Sequence, residues 1–209
     1  NDYRPNVYKT TDGGASFANI SGDLPTDASS WVVREDHVNP RLLFVGNERG
    51  LYVSTTGGTH WLRLKKNLPT VSLRDFDIMP AQRELVVGTF GRSIYILDLV
   101  PLQELTDSVI NAEAHLFTVR DAQAFQASNT YESHADKFFA APNPPAGAPI
   151  SYYLKSDIGR DVTLTIRREG AGEGHAGMRE GIGGARVRPG VEQADALAIG
   201  FVALDLAGD

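Results

Sequence analysis

Short apolar stretches separated by Gly, Pro and Asn fill the first hundred residues of the chain. Within each stretch, branched and aromatic residues alternate with polar ones over five or six positions, which is typical of β-strands rather than helices. The pattern predicts half of a sheet over residues 6–20, four strands near 31–36, 41–46, 50–54 and 60–64, and three more near 73–78, 84–89 and 93–98. We therefore expect small antiparallel sheets joined by tight turns.

One turn motif occurs twice in this region, 44 residues apart. Each copy places hydroxyl or acidic residues, a glycine and an aromatic residue at fixed positions. The first copy consists of Thr10, Asp12, Gly14, Ser16 and Phe17, and the second of Ser54, Thr56, Gly58, His60 and Trp61. A period of this size predicts a stacked or radial repeat in which each copy is a strand, a Gly-rich turn and a strand.

The residue types of the first copy suit a tight hairpin turn. A short acceptor such as Asp12 can take up backbone N–H groups that converge in the turn, and Gly14 permits a positive φ. The hydroxyls of Thr10 and Ser16 can accept hydrogen bonds more weakly. We expect structural rather than catalytic roles for these residues, because a turn of this chemistry needs no substrate.

The aromatic residue that ends each copy is expected to anchor the turn. Phe17 or Trp61 would start the next strand and pack into its sheet. In the second copy Thr56 stands where the first has Asp12, and His60 stands where the first has a serine. The sequence therefore predicts a less tightly bonded second turn.

The motif resembles the Asp-box, or BNR, repeat S-x-D-x-G-x-T-W of sialidase-like and sortilin-like β-propellers. In that family the box closes the outer hairpin of each four-stranded blade. Residues 88–99, followed by 101–105, 114–117, 143–154 and 161–166, further resemble the end of a bacterial family often labelled glycosyl hydrolase with BNR repeats. In that family a small immunoglobulin-like sandwich follows the propeller.

The resemblance implies a fold, a location and partners. About two and a quarter blades fit residues 1–99, whereas propellers carry roughly four to eight, so the remaining blades are expected elsewhere in the same, longer chain. The family is exported, which implies a secreted or periplasmic protein. Its ligand would be a polysaccharide or a polypeptide.

The pattern changes near residue 99. Leu102, Leu105, Val109 and Ile110 fit a short amphipathic helix with Pro101 in its first turn. A Pro- and Ala-rich connector follows, so residues 100–149 are interpreted as a helix and linker between two β regions.

The last part of the chain predicts an incomplete β module. Alternating apolar residues indicate strands over 150–154 and 162–166. Residues 169–190 carry eight glycines and are expected to be a flexible insertion or a frayed terminus. We thus expect an all-β chain: a partial propeller of about two four-stranded blades over 1–99, a linker with a short helix over 100–149, and a partial immunoglobulin-like module with a Gly-rich tail over 150–209.

The composition narrows the classes of function. The chain is 42% hydrophobic and 22% charged, with a net charge of −6. It has no basic patch of the kind that binds nucleic acid. It contains no cysteine, which excludes disulfides, metal thiolates and cysteine nucleophiles. No apolar stretch predicts a membrane span, and no motif predicts a cofactor or a metal site.

Charged residues recur at equivalent positions of the repeats. A catalytic acid is needed once, whereas an ion pair between blades is needed at every junction, so recurrence favours a structural role. The recurring pairs are Arg34 with Arg74, Glu35 with Asp75, and Arg49 with Arg92. As an alternative, Asp75 and Asp77 share one face of a strand and could form the acid and base of glycoside cleavage.

The candidate ligand-binding residues lie in two loops that would rim one mouth of a propeller channel. They are Glu48, Arg49, Phe90 and Arg92. Loops vary while the scaffold holds them in place, so ligands bind there. Phe90 could be an exposed platform on which a sugar ring stacks, or it could be tucked under its neighbour.

Two functions of different classes fit these observations. The first is an exported propeller that acts as a carbohydrate- or protein-binding scaffold. The second is a glycoside hydrolase of the BNR-repeat type, whose catalytic residues would lie mainly in the missing blades. We favour the binding scaffold for two reasons. A shared fold does not establish a shared function, and this chain contains no recognisable set of catalytic residues typical of a sialidase.

Overall fold

The structure is a computed structural model of the 209-residue chain. It describes residues 3–65, 67–121, 148–156, 162–165, 184–187 and 199–204, the last three ranges by their backbone. The described residues are mostly β, as predicted, and belong to two compact units, one up to Ala112 and one from Glu113.

The first unit contains three antiparallel sheets in chain order. The first sheet pairs β1 (Tyr8–Lys9) with β2 (Ala18–Asn19). The second sheet has the order β3 (Ser30–Glu35), β4 (Leu43–Asn47), β5 (Gly50–Ser54) and β6 (Leu62–Leu64). The third has the order β7 (Leu73–Met79), β8 (Glu84–Thr89) and β9 (Ile94–Asp98).

These strands confirm the sequence prediction. The ends of the strands between residues 31 and 98 differ from the predicted ends by no more than two residues. No helix lies between residues 31 and 64, all of which are described. The described residues form no closed barrel, and the radial arrangement of blades stays a prediction.

The second sheet is covered on both faces. One face carries a buried cluster shared with the first sheet and its flanking segments, and Ile20 packs against it. The cluster comprises Val7, Leu24, Leu43, Val45, Tyr52 and Trp61. On the other face, the rings of Phe44 and Phe76 meet edge to face with centroids 6.5 Å apart. The three sheets therefore form a stack with the second sheet in the middle.

A glycine allows the second and third sheets to approach closely. A Cβ atom on Gly46 would lie 3.0 Å from Phe76 Cε1 and 3.1 Å from Leu73 O of the third sheet. Both distances are shorter than van der Waals contact, so a larger residue in this strand would separate the sheets.

Two short helices follow the third sheet, where the sequence predicted one. They are α1 (Val100–Glu104) and α2 (Asp107–Asn111). The break lies at Leu105, which has ψ 75°, and at Thr106, whose extended backbone precedes the restart at Asp107. Thr106 makes no side-chain cap hydrogen bond, and its β-branched side chain is less favourable in a helix interior than in this extended conformation.

The helical segment still buries most of the predicted apolar face. Leu102, Leu105 and Val109 are buried, as the pattern predicts, whereas Ile110 is exposed. No helix among the described residues is long and apolar enough to cross a membrane.

The second unit contains two small antiparallel sheets. β10 (Ala114–Leu116), β11 (Ala148–Leu154) and β14 (Ile199–Leu204) form one, with β11 in the centre. β12 (Val162–Thr165) pairs with β13 (Gly184–Val187) in the other. The expected flexible segment 169–190 thus contains a strand, because alternating Ala and Val can pair despite the neighbouring glycines. Most of the predicted connector and tail lies outside the described residues.

Candidate functional site

The first motif forms a closed network of hydrogen bonds within the turn between β1 and β2. The Gly14 amide donates to Thr10 Oγ1 at 2.9 Å, and the Thr10 hydroxyl donates to Asp12 Oδ1 at 2.8 Å. Asp12 also accepts the Ser16 amide at 2.9 Å and the Ser16 hydroxyl at 2.6 Å. These four bonds therefore satisfy four donor groups of the motif within the turn.

These bonds change the acidity of the carboxylate. The Ser16 hydroxyl, the Ser16 amide and the Thr10 hydroxyl all donate to the charged form, and they lower the pKa of Asp12 from 3.8 to about 2. The cause is hydrogen bonding in an exposed turn, so the shift indicates a structural acceptor rather than a catalytic acid.

The second motif repeats the turn between β5 and β6 with a different set of side-chain bonds. It adds two long bonds, from the Thr56 hydroxyl to His60 O and from the Thr59 hydroxyl to Thr56 O, both at 3.4 Å. The Gly58 amide donates to Ser54 Oγ at 2.9 Å, and the His60 amide donates to Thr56 Oγ1 at 2.9 Å. Because His60 lacks a hydroxyl and Thr56 offers one oxygen, the side-chain bond between Ser16 and Asp12 has no counterpart. The other bonds of the first turn all have counterparts in the second, so the expectation of a less tightly bonded second turn stays a prediction.

The two anchoring aromatic residues lie in opposite environments. Trp61 is 5% exposed, and its indole Nε1 donates to the carbonyl oxygens of Ile20 at 3.0 Å and Gly58 at 3.1 Å. The expectation that Phe17 also packs into its sheet is wrong, because Phe17 is 63% exposed. The segment around Ile20 covers Trp61, and no described segment covers Phe17 in the same way.

Ion pairs join neighbouring sheets where the recurring charges predicted them. Lys9 Nζ of the first sheet lies 2.6 Å from Glu35 Oε2 of the second. Arg34 of the second sheet reaches Asp75 at 3.2 Å and Asp77 at 3.6 Å on the third. The acids at equivalent positions of the two sheets thus pair with the preceding sheet.

This arrangement does not favour Asp75 and Asp77 as an acid-base pair. Both carboxylates lie on one face of β7, as predicted, but both are exposed and share the Arg34 guanidinium. An exposed carboxylate beside an arginine lacks the burial that prepares a general acid.

The predicted binding loops lie at one end of the stack, which we call the mouth. The mouth comprises the β4–β5 loop, the β8–β9 loop, and the first residues of β3 and β7, which the antiparallel pairing places beside those loops. Asn47 Oδ1 accepts the amides of Arg49 and Gly50 at 2.8 and 3.0 Å, which fixes the first loop. Arg49 pairs with Asp27 of the β2–β3 loop at 2.7 Å.

Phe90 projects from the second loop into solvent. Its ring is 73% exposed while its amide donates to Ser72 O at 3.0 Å, so the backbone is fixed and the ring is free. Burial under a neighbour, the other reading of the sequence, is therefore wrong. Glu48 and Arg92 are also exposed, and all four predicted residues lie at the mouth.

A second aromatic residue of the mouth was not predicted from the sequence. Trp31 lies near the start of β3 and is partly exposed, and the Arg74 guanidinium stacks over its ring at 3.9 Å from the centroid. The signal was present, since an outward-facing Trp at an edge strand is unusual. The recurrence of Arg74 indicates only a structural charge, so the sequence pattern does not predict that its guanidinium stacks on Trp31.

The opposite end of the strands carries a small open cavity of about 230 Å³. It is lined by the β3–β4 turn, by Thr55, and by the end of α1 with the two residues that follow it. Its polar groups are engaged in structural contacts: the Gln103 amide donates to buried Asp36 at 2.7 Å and accepts from Arg83, and Arg41 pairs with Asp107 at 2.8 Å. This end ties the sheets to the helices.

The described residues contain no group of three or more acidic or histidine side chains that could hold a metal ion. Comparisons with protein-family models, with curated proteins and with solved structures found no match.

Proposed function

We propose that the first unit is a segment of a β-propeller and that its mouth binds a carbohydrate or a polypeptide. The protein is then an exported binding scaffold rather than an enzyme. The observation that carries this proposal is the Phe90 ring, which is 73% exposed at the end of a hydrogen-bonded loop.

An exposed aromatic ring on a fixed backbone suits stacking. A large apolar side chain in water is unfavourable for the free protein, and its contact with a ligand removes that surface from water. The loop is held by the bond from Phe90 N to Ser72 O and by the bond from Arg92 N to Thr89 Oγ1. Binding therefore costs little ordering of the loop.

Polar groups at the same end of the stack can orient a ligand. Arg49 is fixed by Asp27, and Arg74 is fixed over Trp31. Guanidinium groups in fixed positions donate hydrogen bonds to sugar hydroxyls or to peptide carbonyls with less loss of side-chain freedom. A binding surface with apolar platforms and a few placed polar groups is typical of ligand sites.

The propeller part of the proposal is supported by the repeat. Two turns of the motif share the bond from the second glycine amide to a hydroxyl oxygen, and three antiparallel sheets, in each of which the strands pair in chain order, stack in sequence. Glycoside hydrolysis receives no support from the described residues, whose only predicted dyad is exposed and bound to Arg34.

Binding of glycan and peptide arrays by the 209-residue protein and its Phe90→Ala variant tests the proposal. We expect Phe90→Ala to weaken binding about tenfold, as the loss of roughly 1–2 kcal/mol of stacking implies, and to leave the melting temperature nearly unchanged. Val38→Ala is the matched control, because it removes exposed apolar surface from the other end of β3. Trp31→Ala should weaken binding by a similar factor.

The proposal fails if Phe90→Ala binds as tightly as the unchanged protein or if it unfolds readily. Release of reducing sugar during the same assays, absent from a boiled control, would support the hydrolase instead.

A further inference from the structure

The strands β3 and β7 begin with the same irregularity at the mouth. The pairing of β3 with β4 shifts its register at Trp31, and the pairing of β7 with β8 shifts its register at Arg74. The two residues are 43 positions apart, so they are equivalent in the repeat. A bulge turns a side chain out of the alternation of its strand, and these two side chains stack, with the Arg74 guanidinium 3.9 Å from the centroid of the Trp31 ring. The bulges thus fix a cation on an aromatic ring at the mouth.

The arginines of the two mouth loops differ in whether an acid neutralises them. Arg49 of the first loop pairs with Asp27. Its equivalent in the second loop is Arg92, 43 positions later, and the same step leads from Asp27 to the uncharged Thr70. Among the described residues, no carboxylate pairs with Arg92 or with Arg74. The second loop therefore keeps the arginine of the repeat and lacks its acid.

The other acid of the mouth is also confined to the first loop. Glu48 is exposed there, and its equivalent in the second loop is Gly91. Arginines away from the mouth behave differently, since Arg34, Arg41 and Arg83 each pair with a carboxylate. Positive charge without a partner is thus concentrated around the second loop.

A third cation lies under the first loop. The Arg63 guanidinium is partly buried and donates to Arg49 O and to Thr70 Oγ1 at 2.7 Å. Its buried Nε atom has no acceptor, and no carboxylate pairs with it, among the residues that the structure describes. The potentials of neighbouring charges add, so three guanidinium groups without acidic partners attract an anion to this end of the unit.

We propose that the ligand of the mouth is an acidic polysaccharide, a chain of uronic acid residues, and that the Arg74 guanidinium binds one of its carboxylates. This inference rests on the ligand site proposed above and names the class of its ligand. A guanidinium that stacks on a ring keeps its in-plane N–H groups for a planar acceptor, and a carboxylate accepts two parallel bonds from it. Arg92 supplies a second cation for the carboxylate of another sugar residue.

The aromatic rings of the mouth favour a uronic acid over an acidic polypeptide. A uronic acid carries its carboxylate at the rim of a sugar ring, and the faces of that ring stack on aromatic side chains. An aspartate or a glutamate carries the same group on a flexible stem without such a face. Phe90 is exposed and Trp31 partly exposed, and the Phe90 amide donates to the carbonyl oxygen of Ser72, two residues before Arg74. Rings and guanidinium groups are therefore available to one ligand.

Calorimetric titration of the 209-residue protein with oligogalacturonate tests the proposal. Methyl-esterified oligogalacturonate of the same length is the matched ligand, because it keeps the sugar rings and lacks the charge of the carboxylates. We expect the acidic form to bind about tenfold more tightly than the ester. Its affinity should fall as the salt concentration rises, whereas that of the ester should change little.

Substitutions of Arg74 separate charge from geometry. Arg74→Gln should weaken binding of the acidic form about tenfold and leave binding of the ester nearly unchanged. Arg74→Lys keeps the charge but not the planar pair of donors, so it should recover only part of the affinity. Arg41→Gln removes an arginine from the opposite end of the strands and should bind like the unchanged protein. Arg92→Gln should also weaken binding of the acidic form, and melting temperatures establish that each variant is folded.

Three results would overturn the proposal. Equal binding of the acid and the ester, unchanged by Arg74→Gln but weakened by Phe90→Ala, would show that the mouth binds sugars without using charge. Equal losses in Arg74→Gln and Arg41→Gln would show a general effect of net charge. Tighter binding of poly-glutamate than of oligogalacturonate, lost in Arg74→Gln, would identify an acidic polypeptide as the ligand. The mouth itself fails as a ligand site only if Phe90→Ala leaves the binding of every ligand unchanged.

Discussion

The two Asp-box-like turns share their local geometry and differ in their surroundings. In both, a glycine amide donates to a hydroxyl oxygen at 2.9 Å, and paired glycines have φ values of 71° and 93° in one turn and 72° and 96° in the other. Yet Trp61 is buried beside the second turn, and Phe17 is exposed beside the first.

This difference separates two effects: the motif determines the conformation of the turn, and the neighbouring sheet determines whether the aromatic residue is buried. The hydrogen bonds form in both turns, so the residues of the motif are sufficient for the conformation of the turn. Burial of the aromatic residue requires the preceding sheet, whose segment around Ile20 and Asp23 contacts Trp61. The motif therefore shapes the turn, and we expect the neighbouring sheet to supply most of the stability of the second turn.

The largest expected effect comes from the two aromatic residues. Trp61→Ala should lower the free energy of unfolding by about 3–5 kcal/mol, because it leaves a cavity and removes the bond to Ile20 O. Phe17→Ala should cost less than about 1 kcal/mol, because surface substitutions rarely cost more. Urea unfolding of both variants measures the two values. Equal losses would show that burial does not distinguish the turns.

The second largest effect is expected from replacing the second glycine of each turn. A Cβ atom at Gly58 would lie 2.7 Å from Ile20 Cβ and 2.8 Å from Ile20 O, whereas at Gly14 the nearest atom is Phe17 Cζ at 3.9 Å. Both substitutions to Ala force an L-residue into a positive φ, at about 1–2 kcal/mol. Gly58→Ala should cost about 1–3 kcal/mol more than Gly14→Ala, because only Gly58 meets packed atoms. Thermal unfolding of the two variants measures the difference, and the account fails if Gly14→Ala is the more costly.

The smallest effect is the pH dependence of the first turn. The pKa of Asp12 is lowered to about 2, chiefly by the Ser16 hydroxyl, so its hydrogen bonds stabilise the fold above the ordinary value of 3.8. That contribution is lost as the pH falls through about 2. An NMR titration of the Asp12 carboxyl should show this pKa, and Ser16→Ala should raise it. A pKa near 3.8 in the unchanged protein would contradict the network. The second turn has Thr56 at the position of Asp12, so it has no carboxyl group at this place to titrate.

Much of the first unit follows from the sequence, because alternation and repeat length are local properties. The strands, both turns and the inter-sheet charges at Glu35 and Asp75 were predicted from pattern alone. The exposure of Phe17 was not, because it depends on whether another sheet covers that position. The Trp31–Arg74 stack was missed for the same reason, since it joins residues of two different sheets. The break between the helices at Thr106 depends on a capping conformation that hydrophobic periodicity does not record.

Hydrogen exchange of two amides tests the central claim most directly, namely that the preceding sheet rather than the motif stabilises the turn. The amides of Gly14 and Gly58 donate to equivalent hydroxyl oxygens at the same distance of 2.9 Å. The Gly58 amide should exchange about a hundredfold more slowly than that of Gly14, which corresponds to roughly 3 kcal/mol of added protection from packing against the preceding sheet. Equal exchange rates at the two amides would contradict the account.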